Sequence, residues 1–262
     1  TPVTRPARLM AIAHGGQVVS PQPTAALADA TSTPLRNLGQ HRLRDLASPE
    51  TVYQLGDGTF PPLRSVDTVP TNLPTVRTDL IGRADDVEEL TDLAAEERLV
   101  TLTGTGGVGK TRLALGVAAA LATDFSDGCW FVELAPVSDG DEVANAVAAA
   151  MRAPTTGGDA LVAYLTDRRM LLVLDNCEHV LDAAADLVDA ILGAAPDVTV
   201  VVTSREPLGL EGEQIRRVQS LAAPDAGSTL DDAMATSSVR LFAERAAAVR
   251  HGFRVDETNV AA

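Results

Sequence analysis

The chain has 262 residues, of which 45% are hydrophobic and only 3% are aromatic, and its formal net charge is −15 at pH 7. This length suffices for one large domain, or for one domain and part of another, with a core of aliphatic side chains. The acidic balance argues against direct nucleic-acid binding by this chain, because DNA and RNA carry charge of the same sign.

The two cysteines, Cys129 and Cys177, lie in apolar surroundings without the spacing of a disulfide framework or a zinc site. Such usage is typical of a reducing compartment, and no apolar run approaches the ~20 residues of a membrane span. No signal-peptide pattern follows Thr1. We therefore expect a cytoplasmic chain that does not bind membranes. Because it starts without methionine and stops within a pattern at Ala262, we also expect a fragment of a longer protein.

The predicted elements change in character along the chain. Residues 1–60 mix short apolar runs with turn residues, and the proline-rich stretch 61–79 indicates a linker. Beyond it, the predicted strands are 99–103, 129–134, 170–175, 197–203 and 215–218, and the predicted helices are 111–122, 142–151, 180–192 and 237–249. Strands that alternate with helices form βαβ units, so we predict an α/β fold with a parallel sheet.

The segment 104–111 fits the phosphate-loop pattern G-x-x-x-x-G-K-[ST] without a mismatch. Glycines allow a tight turn whose backbone N–H groups point into one concavity, and the following helix adds its positive end. Lys110, the only lysine of the chain, would reach the β- and γ-phosphates, and Thr111 would coordinate Mg²⁺. We predict binding of ATP or ADP with Mg²⁺ at Gly104, Thr105, Gly106, Gly107, Val108, Gly109, Lys110 and Thr111.

Asp175 follows four apolar residues at the end of a predicted strand. Ligands of open α/β sheets bind at the carboxyl edge, so Asp175 is predicted to hold the Mg²⁺ water shell beside Thr111. A strand that ends in Asp for reasons of the turn alone is the structural alternative.

The group that would activate the attacking water is left open by the sequence. Many related ATPases have a second acid directly after the first, but here that position is Asn176, which cannot act as a base. Glu178 is a candidate base, and it could equally cap the next helix. The missing second acid predicts slow hydrolysis, which suits a switch.

Arg205 stands just after the fourth predicted strand and its polar ending, Thr203 and Ser204. A guanidinium there could bind the γ-phosphate bidentately and report its presence. A surface arginine at the sheet edge is the alternative.

From residue 72 to about residue 260, the chain resembles the NB-ARC-like signal-transduction ATPases, the STAND class, of large bacterial transcriptional regulators. The matching segments are 80–83, 104–111, 128–134, 171–179 and 203–208. The resemblance implies a P-loop domain at 80–222 with strand order 5-1-4-3-2, and the start of a helical lobe at 223–262. It further implies base contacts from Ile81 and Arg83, output and sensor domains in the same longer chain, and homo-oligomers on activation.

Residues 1–60 resemble the C-terminal tail of a class III nucleotide cyclase domain. The matching segments are 7–19, 38–46 and 52–55, the last two corresponding to the final hairpin of that family. Arg8 holds the family's arginine position, but Thr4 stands in place of its asparagine. The two metal-binding aspartates would lie upstream of Thr1, so this piece is not expected to cyclise ATP by itself.

Three functions are compatible with these patterns. The leading one is a regulatory ATPase module whose ATP and ADP forms differ in shape. The second is part of an adenylate cyclase, inactive as this fragment. A kinase on the same loop is weaker, because no lid-like arginine cluster follows Arg205.

Overall fold

A computed structural model describes residues 4–27, 34–41, 43, 50–63, 65, 70–74, 80–225, 227–250, 252–257 and 259. The helices are α1 (Thr4–Ile12), α2 (Gln22–Ala25), α3 (Ala84–Glu96), α4 (Lys110–Leu121), α5 (Val143–Ala150), α6 (Gly158–Leu165), α7 (Leu181–Ala194), α8 (Leu230–Ala235) and α9 (Ser237–Val249). The strands are β1 (Val18–Pro21), β2 (Leu35–His41), β3 (Glu50–Leu55), β4 (Leu99–Thr103), β5 (Cys129–Glu133), β6 (Met170–Asp175), β7 (Val198–Ser204) and β8 (Gln214–Arg217). None of the described helices combines the length and hydrophobicity that crossing a bilayer requires.

The central feature is a sheet of five strands in the order β5-β6-β7-β4-β8, with every adjacent pair parallel. Counted from β4, this is the predicted order 5-1-4-3-2, so the predicted fold is confirmed. Because all strands run the same way, their carboxyl ends meet at one edge. Thr103, Asp175 and Ser204 each end a strand at that edge.

Hydrophobic layers cover both faces of this sheet. On one face, Leu172 and Leu174 of β6 pack with side chains of α5, α6 and α7. On the other face, Leu171 and Val173 pack with side chains of α3 and α4. Every residue of β6 and β7 is buried, which explains why both strands are apolar almost without interruption.

The N-terminal residues form a separate antiparallel sheet in the order β1-β3-β2, with a register shift between Asn37 and Gly39. This part of the chain has a small core of its own, formed by Leu9, Ile12, Leu43, Val52 and Leu63. Strands β2 and β3 pair in antiparallel fashion, and residues 42 and 44–49 of the connection between them lie outside the described part of the chain.

Part of the stretch predicted as a linker is fixed to the edge strand β5. The Thr71 hydroxyl donates to the carbonyl oxygen of Cys129 at 2.7 Å, and the N–H of Cys129 donates to the carbonyl of Pro70 at 3.2 Å. The amide oxygen of Asn72 accepts from the N–H of Phe131 at 2.7 Å. These bonds cover the open edge of the parallel sheet, which would otherwise present unpaired backbone groups.

Most predicted elements from residue 99 onward agree with the structure to within one or two residues at each end. The helices α3, α6 and α8 were not predicted. Their sequences hide the pattern, because α3 is rich in acidic residues around a narrow buried stripe and α6 begins at a Gly-Gly pair.

Candidate nucleotide site

The segment 104–111 connects the end of β4 to the start of α4. Gly104, Gly107 and Gly109 have φ values of 148°, 77° and 104°, which side chains with a Cβ rarely adopt. Gly109 is the residue before α4, and the N–H of Leu113 donates to its carbonyl at 3.0 Å. A helix of 12 residues therefore begins directly at the loop and directs its positive end towards it.

Lys110 is buried, with 9% of its surface exposed, and its ammonium group lies inside the loop. Nζ donates to the carbonyl oxygen of Gly104 at 2.9 Å and to that of Thr105 at 3.2 Å. An ammonium group has three donors, so these bonds leave one for a phosphate oxygen. The buried charge is thus held at the loop by backbone acceptors alone among the described residues.

Asp175 lies opposite the start of α4, and two threonine hydroxyls donate to it. The Thr111 hydroxyl donates to Oδ1 at 2.7 Å, and the Thr203 hydroxyl donates to the same oxygen at 2.6 Å. Thr111 has used its only hydrogen in this bond, so its oxygen lone pairs are left for a cation. Oδ2 accepts no hydrogen bond within the part of the chain that the structure describes.

This donor set suits Mg²⁺, which prefers oxygen ligands and keeps several of its waters. Among the described residues, no group of three His, Cys, Asp or Glu is placed to hold a metal by itself. Thr111 and Asp175 would therefore hold the ion together with phosphate oxygens and water, as the sequence predicts.

Cys177 does not belong to this donor set. Burial, together with the nearby carboxylates of Asp175 and Glu178, raises the pKa of its thiol to about 12. The thiol is therefore neutral near pH 7, whereas metal ligation requires the thiolate.

Asn176 occupies the position of the missing second acid and has a left-handed backbone, with φ 65° and ψ 51°. Its N–H donates to the Thr203 hydroxyl at 3.0 Å. This conformation turns the chain sharply into the 3₁₀ segment Cys177–His179, which carries Glu178. Within the described residues, the Glu178 side chain bonds to Arg205 and not to a backbone N–H of α7.

Arg205 and Glu178, predicted separately as a γ-phosphate sensor and a candidate base, lie together. Nε of Arg205 donates to Oε1 of Glu178 at 3.0 Å. The terminal nitrogen Nη2 lies 3.8 Å from the position that a Cβ on Gly106 would take, so the guanidinium stands beside the phosphate loop.

Arg83 is buried, with 8% exposed, and its guanidinium is bonded to protein atoms. Nη1 donates to Asp86 at 2.9 Å, and Nη2 donates to the carbonyl oxygens of Val108 at 3.3 Å and Gln219 at 2.5 Å. The side chain therefore joins the phosphate loop to the segment after β8. This role was missed in the sequence, because no local pattern indicates carbonyl partners so far along the chain.

Ile81 lines an open cavity of about 420 Å³ between the turn before α3 and helices α8 and α9. The other lining residues are Leu80, Gly82, Met234, Arg240, Ala243 and Glu244. Base contacts by Ile81 and Arg83 stay predictions, since neither side chain's position identifies a ligand.

Thr203 is a further residue whose contacts the sequence did not reveal. It is buried, with 1% exposed, and its hydroxyl connects the Asp175 carboxylate to the Asn176 N–H. A polar residue directly after a run of valines in a buried strand was the available signal.

Comparisons with known proteins place this chain in a family. Residues 78–262 match the family "Novel STAND NTPase 1". Over 174 residues the chain is 47% identical to the protein named "Putative HTH-type transcriptional regulator Rv0890c" of Mycobacterium tuberculosis, a match that covers 65% of this chain and 18% of that protein. It is 38% identical over 183 residues to "Uncharacterized protein Rv0894" of the same organism, covering 68% of this chain and 44% of the other.

The solved structures to which the chain is similar include the STAND protein with a tetratricopeptide repeat sensor from Pyrococcus horikoshii. Its TM-score is 0.42 at 15% identity, over 57% of this chain and 24% of that chain. The Walker-type ATPase of Pyrococcus abyssi gives a TM-score of 0.45 at 13% identity, over 71% and 63% of the two chains.

The chain spans less than half the length of both mycobacterial relatives. The family match covers the whole of the parallel sheet and continues through α9. It confirms the predicted STAND class. The chain belongs to the Novel STAND NTPase 1 family.

Proposed function

We propose that the chain is an ATP- and ADP-binding regulatory module that hydrolyses ATP slowly and acts as a nucleotide-dependent switch. The observation that carries this proposal is the bond from Thr111 to Asp175 beside the buried ammonium of Lys110. Lys110 and Thr111 lie at the start of α4 and Asp175 ends β6, and together they would provide the contacts that a triphosphate and Mg²⁺ require.

Binding would place the phosphates over the loop between β4 and α4. The spare donor of Lys110 would bond to a β- or γ-phosphate oxygen, and the start of α4 would stabilise the negative charge of both phosphates. When bound, Mg²⁺ supplies positive charge for the β- and γ-phosphate oxygens, held by Thr111 and by the waters around Asp175.

Hydrolysis would break the bond between the γ-phosphorus and the β,γ-bridging oxygen while water forms the new P–O bond. The water must also lose a proton, and the residue beside Asp175 that would commonly accept it is Asn176, which has no carboxylate. With no base directly next to Asp175, we propose that turnover is slow and that the ATP form persists long enough to signal.

The signal would pass to other domains of a longer protein. Support comes from the relative named as an HTH-type transcriptional regulator, of which this chain matches 18%. We propose that the module, NB-ARC-like in its motifs, transmits its nucleotide state to output and sensor domains in the same chain, with homo-oligomers forming on activation. DNA binding would belong to those other domains, because this chain has a net charge of −15.

Calorimetry with ATP and ADP, each with Mg²⁺, tests the proposal on this chain and on Lys110→Ala. We expect the substitution to weaken ATP binding by tenfold or more, which corresponds to about 1.4 kcal/mol. Binding that is equal in both proteins would contradict a phosphate role for Lys110. Rapid multiple turnover of bound ATP would contradict the switch.

A second proposal concerns residues 1–60, as the C-terminal remnant of a nucleotide cyclase domain. It is favoured by the antiparallel pairing of β2 with β3, which resembles that family's final hairpin. The sequence encoded upstream of Thr1 in the parent gene tests it. Two aspartates at strand ends would support a cyclase, and their absence would refute an active one.

A further inference from the structure

The ion pair between Arg205 and Glu178 leaves most of the guanidinium free. A guanidinium has five N–H donors, and Glu178 takes the one on Nε. Within the described residues, no protein atom accepts a hydrogen bond from the two terminal nitrogens. Nη2 lies 3.8 Å from where a Cβ on Gly106 would stand, so this free end is directed at the phosphate loop.

The two members of the pair differ in how firmly they are held. The Arg205 side chain is 66% exposed, whereas that of Glu178 is 20% exposed. Glu178 stands on a short 3₁₀ turn between Cys177, which is fully buried, and His179. A long exposed arginine loses considerable rotamer freedom when it adopts one orientation, so a fixed carboxylate at Nε favours that orientation before any ligand arrives.

His179 fixes the same turn from the other side. Its Nε2 lies 2.9 Å from the carbonyl oxygen of Leu134 and 2.8 Å from that of Val137, both in the segment after β5. The turn that carries Glu178 is therefore tied to the segment after β5 by His179 and to β7 by the bond from the Asn176 N–H to Thr203. These bonds fix the backbone from which the Glu178 side chain extends.

The two oxygens of Glu178 are poorly placed to take a proton from water. Oε1 accepts from Arg205, and Oε2 is buried without a hydrogen-bond partner in the described part of the chain. A general base must be within hydrogen-bond reach of the water that it activates. The geometry therefore favours a role for Glu178 other than that of the general base, for which the sequence makes it a candidate.

We propose that Glu178 is a positioning residue that holds Nε of Arg205 and directs the four terminal N–H groups at the γ-phosphate of ATP. This inference rests on the proposed nucleotide site and adds how that site distinguishes its two nucleotides. ADP has no γ-phosphate, so only ATP gains from the oriented guanidinium. Glu178 thereby contributes to the preference for ATP over ADP without touching either nucleotide.

The test compares affinities for a non-hydrolysable ATP analogue and for ADP, both with Mg²⁺, by calorimetry on the whole chain. The variants are Glu178→Ala, Glu178→Gln, Arg205→Ala and the double variant Glu178→Ala/Arg205→Ala. Glu178→Ala should lower the ratio of analogue affinity to ADP affinity by about fivefold, a change equivalent to ~1 kcal/mol. Arg205→Ala should lower it at least as far, and the double variant should match Arg205→Ala.

Glu178→Gln should retain most of the preference, because the amide oxygen of Gln can still accept from Nε. Glu89→Ala is the matched control, because it removes the partner of Arg216 in another ion pair, whose N···O distance is 3.3 Å. Both residues lie outside the phosphate loop, so this variant should leave the affinity ratio unchanged. Single-turnover hydrolysis of bound ATP is measured in parallel. Loss of a base would slow that step ~100-fold or more in both Glu178 variants.

Several outcomes would overturn the inference while leaving the nucleotide site intact. One is an unchanged affinity ratio in Glu178→Ala, and another is an increased ratio, which would make Glu178 a competitor of the γ-phosphate for Arg205. A third is normal binding by Glu178→Gln with hydrolysis abolished, which would identify a base. If the unmodified chain binds neither nucleotide, the proposed function itself fails, and that result is distinguishable from all three.

Discussion

The hydroxyl of Thr203 donates a hydrogen bond of 2.6 Å to Oδ1 of Asp175. The same hydroxyl accepts from the N–H of Asn176 at 3.0 Å, so one side chain of β7 satisfies both a carboxylate and a backbone donor at the end of β6. Strands β6 and β7 are neighbours, and Leu174 pairs with Val202 immediately before these residues. The position of the proposed magnesium carboxylate is therefore set by its neighbouring strand as well as by its own.

Removing the Thr203 hydroxyl should destabilise the protein. Thr203→Val leaves the Asn176 N–H without its acceptor, and an unsatisfied buried donor lowers the free energy of unfolding by about 1–3 kcal/mol. Urea denaturation measures the change. Thr203→Ser keeps the hydroxyl, so its free energy of unfolding should fall by less than that of Thr203→Val.

Thr101 offers the matched control on the neighbouring strand β4, where it pairs with Val202. Its side chain is fully buried, and its hydroxyl has no hydrogen-bond partner in the described part of the chain. Thr101→Val should therefore be neutral or stabilising, because it removes a buried polar group that gains nothing from its surroundings. Equal decreases in the free energy of unfolding in Thr101→Val and Thr203→Val would show that the hydrogen bonds of the Thr203 hydroxyl do not contribute to stability.

The hydroxyl of Thr111 should govern the part of ATP affinity that depends on Mg²⁺. Thr111→Val removes the oxygen that donates to Asp175 and that is predicted to bind the ion, whereas Thr111→Ser keeps it. We expect affinity in EDTA to be similar for all three proteins, and the gain on adding Mg²⁺ to shrink by about tenfold or more in Thr111→Val alone. An undiminished gain in that variant would place the ion elsewhere.

Arg83 should stabilise the protein even without nucleotide. Arg83→Met keeps the apolar stem but removes the bonds to Asp86, Val108 and Gln219. Because charge-assisted bonds of a buried group are lost, we expect the free energy of unfolding to fall by about 2–3 kcal/mol. Arg216→Met breaks an exposed pair with Glu89 and an exposed bond to the Ile215 carbonyl, and it should change the free energy of unfolding by less than ~0.5 kcal/mol.

A different result would restore the role implied by family resemblance. If Arg83→Met unfolds like the unmodified chain in the absence of nucleotide but binds ATP weakly, Arg83 contacts the base and its protein bonds are secondary. Thermal unfolding with and without ATP separates these cases.

What the sequence predicts well is what depends on neighbours along the chain. The strand 170–175 is buried on both faces, so its apolar run and its length identify it without further information. The glycines of the phosphate loop likewise reveal a backbone with positive φ.

What it predicts poorly is pairing over long sequence distances. Arg83 and Gln219 are 136 residues apart, and Arg205 and Glu178 are 27 apart on different strands' ends. The type and position of each of these residues indicate a role for it alone, but the identity of its partner depends on the order of the strands in the sheet. The fixed segment at Thr71 and Asn72 was missed for the same reason, since its proline-rich surroundings give no sign of the edge strand that it covers.

The two cysteines should make stability depend on alkaline pH. Burial raises the pKa of Cys129 from 9.0 to about 12, with Asp124 adding to the shift, and the pKa of Cys177 is raised equally. Between those pH values the unfolded chain loses thiol protons that the native chain keeps. The contribution of the two protonated thiols to the free energy of unfolding is therefore complete below about pH 9 and is lost as the pH rises towards about 12.

Urea unfolding at several pH values between 8 and 11 measures this dependence. The double variant Cys129→Ala/Cys177→Ala should show a shallower decline than the unmodified chain. Equal slopes would mean that the thiols ionise alike in both states. A thiol reagent should also label neither cysteine below pH 9 until urea unfolds the chain, because the thiols are buried and protonated.

Gly82 should be required for the position of α9. A Cβ at this residue would overlap Oγ and Cβ of Ser237, the first residue of α9, and φ is 65°. Gly82→Ala therefore forces the start of α9 away from the turn before α3. We expect a lower melting temperature and faster proteolysis within residues 237–249, since the displaced helix loses contacts there.

Two further variants separate the clash from the backbone strain. Ser237→Gly in the Gly82→Ala background removes both contacted atoms and should recover part of the stability, although the positive φ still disfavours alanine. Gly193→Ala, near the end of α7 with no atom within 4 Å of the added Cβ, should instead stabilise the chain by about 0.5–1 kcal/mol. If Gly82→Ala behaved like Gly193→Ala, α9 could not be packed against this turn as the structure shows.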